Sequence, residues 1–421
     1  MSYIKNKILK RDFLIFKSLF IPLFVLIKNN AIVAGLSYLL TISLANYLGP
    51  NDFGIYSHVL IVAAFVSILI NFGTDQTSPS FYSRVQDIRI VFSITYLLRI
   101  FLALTTLLIL LIFYYQDVTF FIFLFCLVLA NLNLSFLYEI QQRNQKYSYI
   151  FLFERLIYIG IIFFLLYIDF INLPKLFAVL LIVTLVSIGY QFFENKNLIL
   201  CDIRKYKFAC WKCLKENFPI VVVALFTYVY GGFGRLILEE RLGSERLGIY
   251  SAGWQIITIG TIFQAQVVRL WRTKLSICID AGDHKSLKEW IIYYLIFATV
   301  PMFLVAITIS IFSEKIVRFL FIPAYSELST LLPILGFYFL VINFASLIDI
   351  LWIALRKNSI YMYANIFGGA TLLIYLLVFS SDMGMYDFSV ATVIGHLFTT
   401  LLLTVIWLIY FRRKVLFNFS K

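Results

Sequence analysis

A chain of 421 residues that is 62% hydrophobic and only 14% charged is not a soluble globular protein, for which the charged share is about 25%. Its formal charge of +13 is not a nucleic-acid signature, because the basic residues are dispersed over many short connections. No stretch is polar enough to form a soluble catalytic domain, so composition sets an integral membrane protein.

In chain order, residues 1–30 read as a basic amphipathic arm. Lys5, Lys7, Lys10 and Arg11 precede "FLIFKSLFIPLFVLI", but Lys17 and Pro22 interrupt the apolar run and no small-residue cleavage site follows, unlike a signal peptide. A helix needs about 20 apolar residues to cross roughly 30 Å of hydrocarbon. That ruler predicts spans at 31–48, 55–74, 91–114, 118–138, 150–168, 174–194, 217–238, 249–268, 290–312, 328–355, 360–380 and 387–411. The arm, every second connection and the C-terminal tail carry most of the Lys and Arg, whereas the opposite side holds only Lys175, Arg241, Arg246, Lys315 and Arg318. The excess of positive charge on one side predicts that both termini are cytoplasmic.

The five cysteines give no disulfide framework. "CWKC" at Cys210 and Cys213 has the spacing of half a zinc site, with Cys201 in the same loop and Cys278 and His284 on another. With no second close pair, no metal site is expected and an ordinary amphipathic loop is the reading.

The decapeptide "LGPNDFGIYS" at 48–57 returns as "LGSERLGIYS" at 242–251, with six of ten positions identical. Gly49 and Gly54 permit tight turns, Pro50 and Asn51-Asp52 favour turning, and Tyr56 suits the headgroup interface. Each copy joins an odd-numbered span to the next on the outer side. An even number of spans therefore separates them, and the halves repeat in parallel about an axis along the membrane normal. The expected fold is an all-α polytopic membrane protein of two six-helix lobes: 31–200 as N-lobe, 201–215 as a basic interlobe loop, and 216–421 as C-lobe.

"YLGPNDFGIYS" followed by an apolar helix and "NFGTDQ" resembles the opening helices of Wzx-type O-antigen flippases, in the multidrug/oligosaccharidyl-lipid/polysaccharide (MOP) exporter superfamily. "RLGSERLGIYSAGWQ" and the loop "AGDHKSLKEW" resemble the same family, whereas "VVRLWRTKLS" lacks a proline that its pattern has nearby. The likeness is sharp over 44–76 and 238–290 and topological elsewhere. It implies two lobes around a central cavity, no enzymatic activity and no cofactor. The implied cargo is an undecaprenyl-pyrophosphate-linked oligosaccharide, flipped across a bacterial inner membrane alongside polysaccharide polymerase machinery.

Such cargo needs a polar, cationic path, since unpaired hydroxyls and above all a pyrophosphate are costly in hydrocarbon, so charged residues within spans are candidates. Arg99, roughly 15 Å into its span, can form bidentate hydrogen bonds with phosphate or pair inside the N-lobe. Arg235 follows "YGGFG", whose glycines loosen the helix or admit a neighbour; it either lines the lobe interface or pairs with Glu239 four residues on. Asp349 and His396 are the ion-coupling candidates, against a carboxylate drawn to nearby basic residues and a buried, hydrogen-bonded histidine. Arg84, Arg89, Arg155 and Arg269 at cytoplasmic span ends can gather an anionic headgroup or simply obey the charge bias, and Asp75 and Glu154 can pair with them. Two other readings compete. A cation-coupled multidrug exporter of the same superfamily needs an apolar pocket with acidic residues. A membrane polymerase needs acid/base groups in an outer loop, the longest of which is 313–328.

Overall fold

The computed structural model describes residues 2–114, 118–198, 207–355 and 358–418, and every regular element in them is helical. In order these are α1 (Ser2–Asn71), α2 (Thr74–Val85), α3 (Ile88–Tyr114), α4 (Val118–Ala130), α5 (Ser135–Ile140), α6 (Asn144–Tyr167) and α7 (Leu173–Glu194). The second half contains α8 (Lys207–Tyr228), α9 (Gly234–Leu242), α10 (Ser244–Ala281), α11 (His284–Tyr294), α12 (Val300–Ile311), α13 (Ser313–Leu320), α14 (Leu328–Ala354), α15 (Asn358–Phe379) and α16 (Met385–Asn418). Among the described residues, ten helical stretches are long and apolar enough to cross a membrane, which makes this a multi-pass membrane protein. The first stretch, Lys28–Asn71, holds two expected spans on either side of a bend at Gly49. The segment expected at 249–268 lies within α10. Residues 2–30, expected as a separate arm, run without a break into the first span.

The decapeptides are not loops. Each changes direction at a single residue, Gly49 (φ 73, ψ 172) and Gly243 (φ 87, ψ 169), a backbone conformation open only to glycine. Pro50 is then the first helical residue, where its missing N–H costs nothing. Gly54, expected to turn, is helical instead, as is its counterpart Gly248, and the role of both is contact.

"AGDHKSLKEW" is a helix-to-helix corner. Gly282 (φ 68) closes α10 in the left-handed region, and Asp283 caps α11 by accepting from Ser286 N at 3.0 Å. Hydrogen bonds from the Ser286 hydroxyl and then its backbone N–H hold the Asp283 carboxyl below its ordinary value. The outer loop expected at 313–328 is largely helical as well. In α13, Val317 is buried while Glu314 and Arg318 lie in solvent 3.6 Å apart, an amphipathic pattern that the run "SEKIVRFL" already spells.

One apolar core joins the two halves, with Leu44, Phe53 and Val59 of α1 in the same cluster as Leu247 and Tyr250 of α10 and Leu331 and Leu335 of α14. "VYGGF" at Val229–Phe233 forms a π-turn between α8 and α9, as expected of a loosened helix. Its Gly231 lies where a Cβ would meet the Trp254 ring at 3.1 Å, so the segment admits its neighbour as well.

Candidate functional site: the cavity between the halves

The two decapeptides dock on each other. A Cβ at Gly54 would collide with the Ser244 carbonyl, and one at Gly248 with the Pro50 carbonyl, so each glycine rests on the backbone that opens the other copy. Ser244 and Pro50 are equivalent positions of the repeat, as are Gly248 and Gly54, and the contact is therefore pseudo-symmetric. Further ties seal this hairpin face. Asn46 donates to Leu320 O at 2.7 Å and accepts from Ile322 N at 3.0 Å. Tyr325 donates to Ala45 O at 2.9 Å, and His58 binds Glu239 across the halves.

Toward the opposite ends of the helices a cavity opens between the halves, bridged where Thr77 Oγ1 of α2 donates to Asn217 Oδ1 of α8 at 2.5 Å. A cavity of about 650 Å³ lies among Ile68 of α1, Pro219 and Tyr228 of α8, Ser346 and Asp349 of α14 and Tyr361 of α15. A smaller one of about 200 Å³ shares Ile68, Ile220 and Ala224 with it and adds Ser67, Asn71 and Asp75. The Tyr228 hydroxyl donates to Ile61 O at 2.7 Å and its ring meets Phe65 at 5.5 Å, marking where the cavity ends. The walls are mostly apolar. Among the described residues, the ionisable side chains lining these cavities, apart from tyrosines, are the carboxylates Asp75 and Asp349.

Arg99 has no exposed surface. Its guanidinium donates to Thr74 Oγ1 at 2.8 and 2.9 Å, to Asp75 Oδ1 at 2.6 Å and to Asn133 O at 3.3 Å, and covers the Phe136 ring at 4.7 Å. Asp75, expected to pair with an arginine at a span end, pairs with this enclosed one because α2 folds back beside α3. The side chain of Asp75 is 44% exposed, so the carboxylate, not the arginine, meets the cavity. Behind it Ser67 Oγ donates to Asn131 Oδ1 at 2.6 Å, and Asn71 Nδ2 donates to both.

Arg235 does not pair with Glu239, which is engaged by His58 and accepts from Ser244 Oγ at 3.0 Å. Arg235 instead bonds the Gly231 carbonyl and stands 5.0 Å over the Trp254 ring; among the described residues it forms no salt bridge. Trp254 leads to Tyr338 at 5.3 Å. The Tyr338 hydroxyl is 2.9 Å from His396 Nδ1, and His396 stacks on Tyr230 at 4.6 Å. His396 is thus a hydrogen-bonded histidine among aromatic rings, joined to Arg235 through them. That cluster was not visible in the sequence, where its members are scattered over 230–396.

The entry candidates are dispersed. Arg89 is 61% exposed and 3.7 Å from Asp87, and Arg155 covers the Phe151 ring at 5.1 Å rather than pairing with Glu154. Arg84 and Arg269 lie on α2 and α10, with side chains outside the described ones. Cys213 and Cys278 are buried in two separate apolar clusters, and Cys201 lies outside the described residues. No group of three metal-ligating side chains forms among the described residues.

A buried seal on one face and a cavity between the halves toward the other is an architecture this chain shares with solved transporters. Solved structures of that class share the fold. The chain is similar to a multidrug resistance MATE family transporter of the MOP superfamily in its inward-facing conformation, with a TM-score of 0.73, 13% identity, and coverage of 95% of this chain and 100% of that one. The outward-facing conformation of such a transporter gives 0.64 at 12% identity over 92% and 95%. A MOP superfamily transporter from Pyrococcus furiosus, described as having a binding pocket of reverse polarity that suggests a different function, gives 0.63 at 11% over 92% and 95%. No curated protein sequence matches significantly. Residues 23–269 match the model of the polysaccharide biosynthesis protein family, and the chain belongs to that family.

Proposed function

We propose that the chain is a flippase that moves an undecaprenyl-pyrophosphate-linked oligosaccharide from the cytoplasmic to the outer leaflet of a bacterial inner membrane. The basic face is then cytoplasmic, and the exported units pass to polymerase machinery. The observation that carries this reading is the family match over 23–269, which covers most of the first half and the docking decapeptides. The one-sided cavity supports it, since a sealed hairpin face with a cavity between the halves toward the other side fits one state of an alternating-access cycle. Arg235 is the proposed anion contact, reached as the halves rearrange. Asp349 on the cavity wall and His396 behind it are the proposed proton or sodium carriers, and Arg84, Arg89, Arg155 and Arg269 the proposed collectors of the headgroup. Arg99, enclosed on all sides, acts through Asp75.

A second reading is supported by the cavity itself. Apolar walls with Asp75 and Asp349 suit a cationic, amphiphilic drug exchanged for a cation.

The test is deletion of the gene in its host, followed by a sugar-specific probe on sealed inside-out and right-side-out vesicles. Complete repeat units confined to the cytoplasmic leaflet, restored by the parent gene and about tenfold less well by Arg235→Ala, fit the flippase. Units reaching the outer leaflet unjoined indicate the polymerase. An unchanged leaflet distribution with raised sensitivity to cationic drugs indicates the exporter.

A further inference from the structure

The seal on the hairpin face is built almost entirely from uncharged contacts: glycines on carbonyls, the Asn46 amide on the chain around Leu320, and the Tyr325 hydroxyl on Ala45. One contact differs. His58 Nδ1 meets Glu239 Oε2, joining the first half to the second with side chains 23% and 16% exposed. The other described ion pairs, such as Arg99–Asp75, Lys146–Glu194 and Arg246–Glu327, stay within one half. His58 stands four residues beyond the interlocked Gly54, one helical turn inside it, and Glu239 four residues before the bend at Gly243. Its setting is fixed on both sides. Phe120 of α4 packs edge-on against the imidazole at 4.9 Å, and Ser244 Oγ donates to Glu239 Oε1 at 3.0 Å.

Neighbouring ionisable groups are occupied elsewhere or solvated. On α9, Arg241 donates to Ser380 Oγ, Glu240 is exposed, and Arg235 lies over Trp254. On α10, Arg246 pairs with Glu327 and Glu245 is exposed. On α1, Tyr47 donates to Asp169 and Asp52 is exposed; Tyr228 of α8 and Tyr325 donate to α1 carbonyls. Beside α4, Asp117 lies outside the described residues.

We propose that His58 and Glu239 form a proton-binding site shared between the two halves, whose protonated state holds the hairpin face closed and whose deprotonation favours its opening. With a proton on the imidazole, Nδ1–H donates to the carboxylate across a full ion pair, so Coulomb attraction adds to the hydrogen bond. Without it, a neutral ring faces the same carboxylate and the bond loses its ionic part. Opening carries the two groups apart into water. A charged imidazole therefore favours closure through its ion pair with Glu239, and a neutral one favours it less. The site requires only that the halves part on this face, so it stands or falls independently of the cargo.

The experiment uses the full chain in nanodiscs without cargo, native cysteines replaced, with spin labels at Asn51→Cys and Glu245→Cys, exposed and equivalent positions of the two decapeptides. Pulsed electron–electron distance measurement is run from about pH 5 to about pH 8, the range of histidine titration. The long-distance population is expected to rise about threefold to tenfold with pH in the parent, to lose that dependence in His58→Gln and Glu239→Gln, and to stay small throughout in His58→Arg, whose charge is permanent. Distances independent of pH in the parent overturn the proposal. So does a pH response that survives in His58→Gln or Glu239→Gln, or opening of His58→Arg at high pH.

Discussion

Gly54→Ala and Gly248→Ala are each expected to prevent the hairpin face from closing. The methyl group added at either position falls on a backbone carbonyl of the opposite decapeptide, and backbone at the start of a helix does not yield as a flexible side chain does. Overpacking of this kind costs about 1–3 kcal/mol, enough to shift a closed-to-open equilibrium roughly 5-fold to 150-fold. Because the two contacts are equivalent, the two variants are expected to act alike, trapping the open hairpin face and abolishing repeat-unit export in the vesicle assay. Solvent accessibility of a cysteine placed at Tyr56 or Tyr250, both now buried, reads the outcome directly. A Gly248→Ala protein that exports at the parental rate would mean that the observed seal is not a required state of the cycle.

Removing Asp75 is expected to destabilise the protein more than removing Arg99. In Asp75→Ala the guanidinium of Arg99, with no exposed surface, keeps Thr74 Oγ1, Asn133 O and the Phe136 ring but loses its one counter-charge, a stranding that costs about 3–5 kcal/mol in buried pairs. In Arg99→Met the volume is refilled with apolar atoms. The remaining carboxylate is 44% exposed and retains the Ser135 hydroxyl at 3.1 Å, so a loss of roughly 1–2 kcal/mol is expected. Thermal unfolding in detergent gives the order, and a lower midpoint for Arg99→Met than for Asp75→Ala would contradict it.

That the chain is an all-helical, multi-pass membrane protein was legible because it rests on long apolar runs, which need no knowledge of contacts. What a given glycine does was not legible: Gly49 and Gly54 look alike in sequence, yet one bends the chain and the other receives a carbonyl. Arg99 could be assigned a depth but not a partner, since Asp75 reaches it only after α2 turns back at Gly73. Arg235 and Glu239 have the spacing of a helical pair, but Glu239 is drawn away by His58, 181 residues earlier in the chain. Local spacing sets which pairs are possible, and packing between halves decides which form. The 313–328 stretch was misjudged for a different reason. A helix as short as α13 has the length of a loop, and only its one-sided apolar stripe distinguishes it.

The docking of one decapeptide on the other is the geometry of an isologous contact, in which the same patch serves both partners about a two-fold axis. A half-length ancestor carrying this patch could already pair with a second copy of itself, and fusing the copies frees each to diverge. The residues record that divergence. The repeat offset of 194 carries His58 onto Ala252 and Glu239 back onto Ala45, so the place related by symmetry to the ion pair holds two alanines. A homodimer would be obliged to carry such a charge twice or not at all; the fused chain carries it once, on one side of its axis.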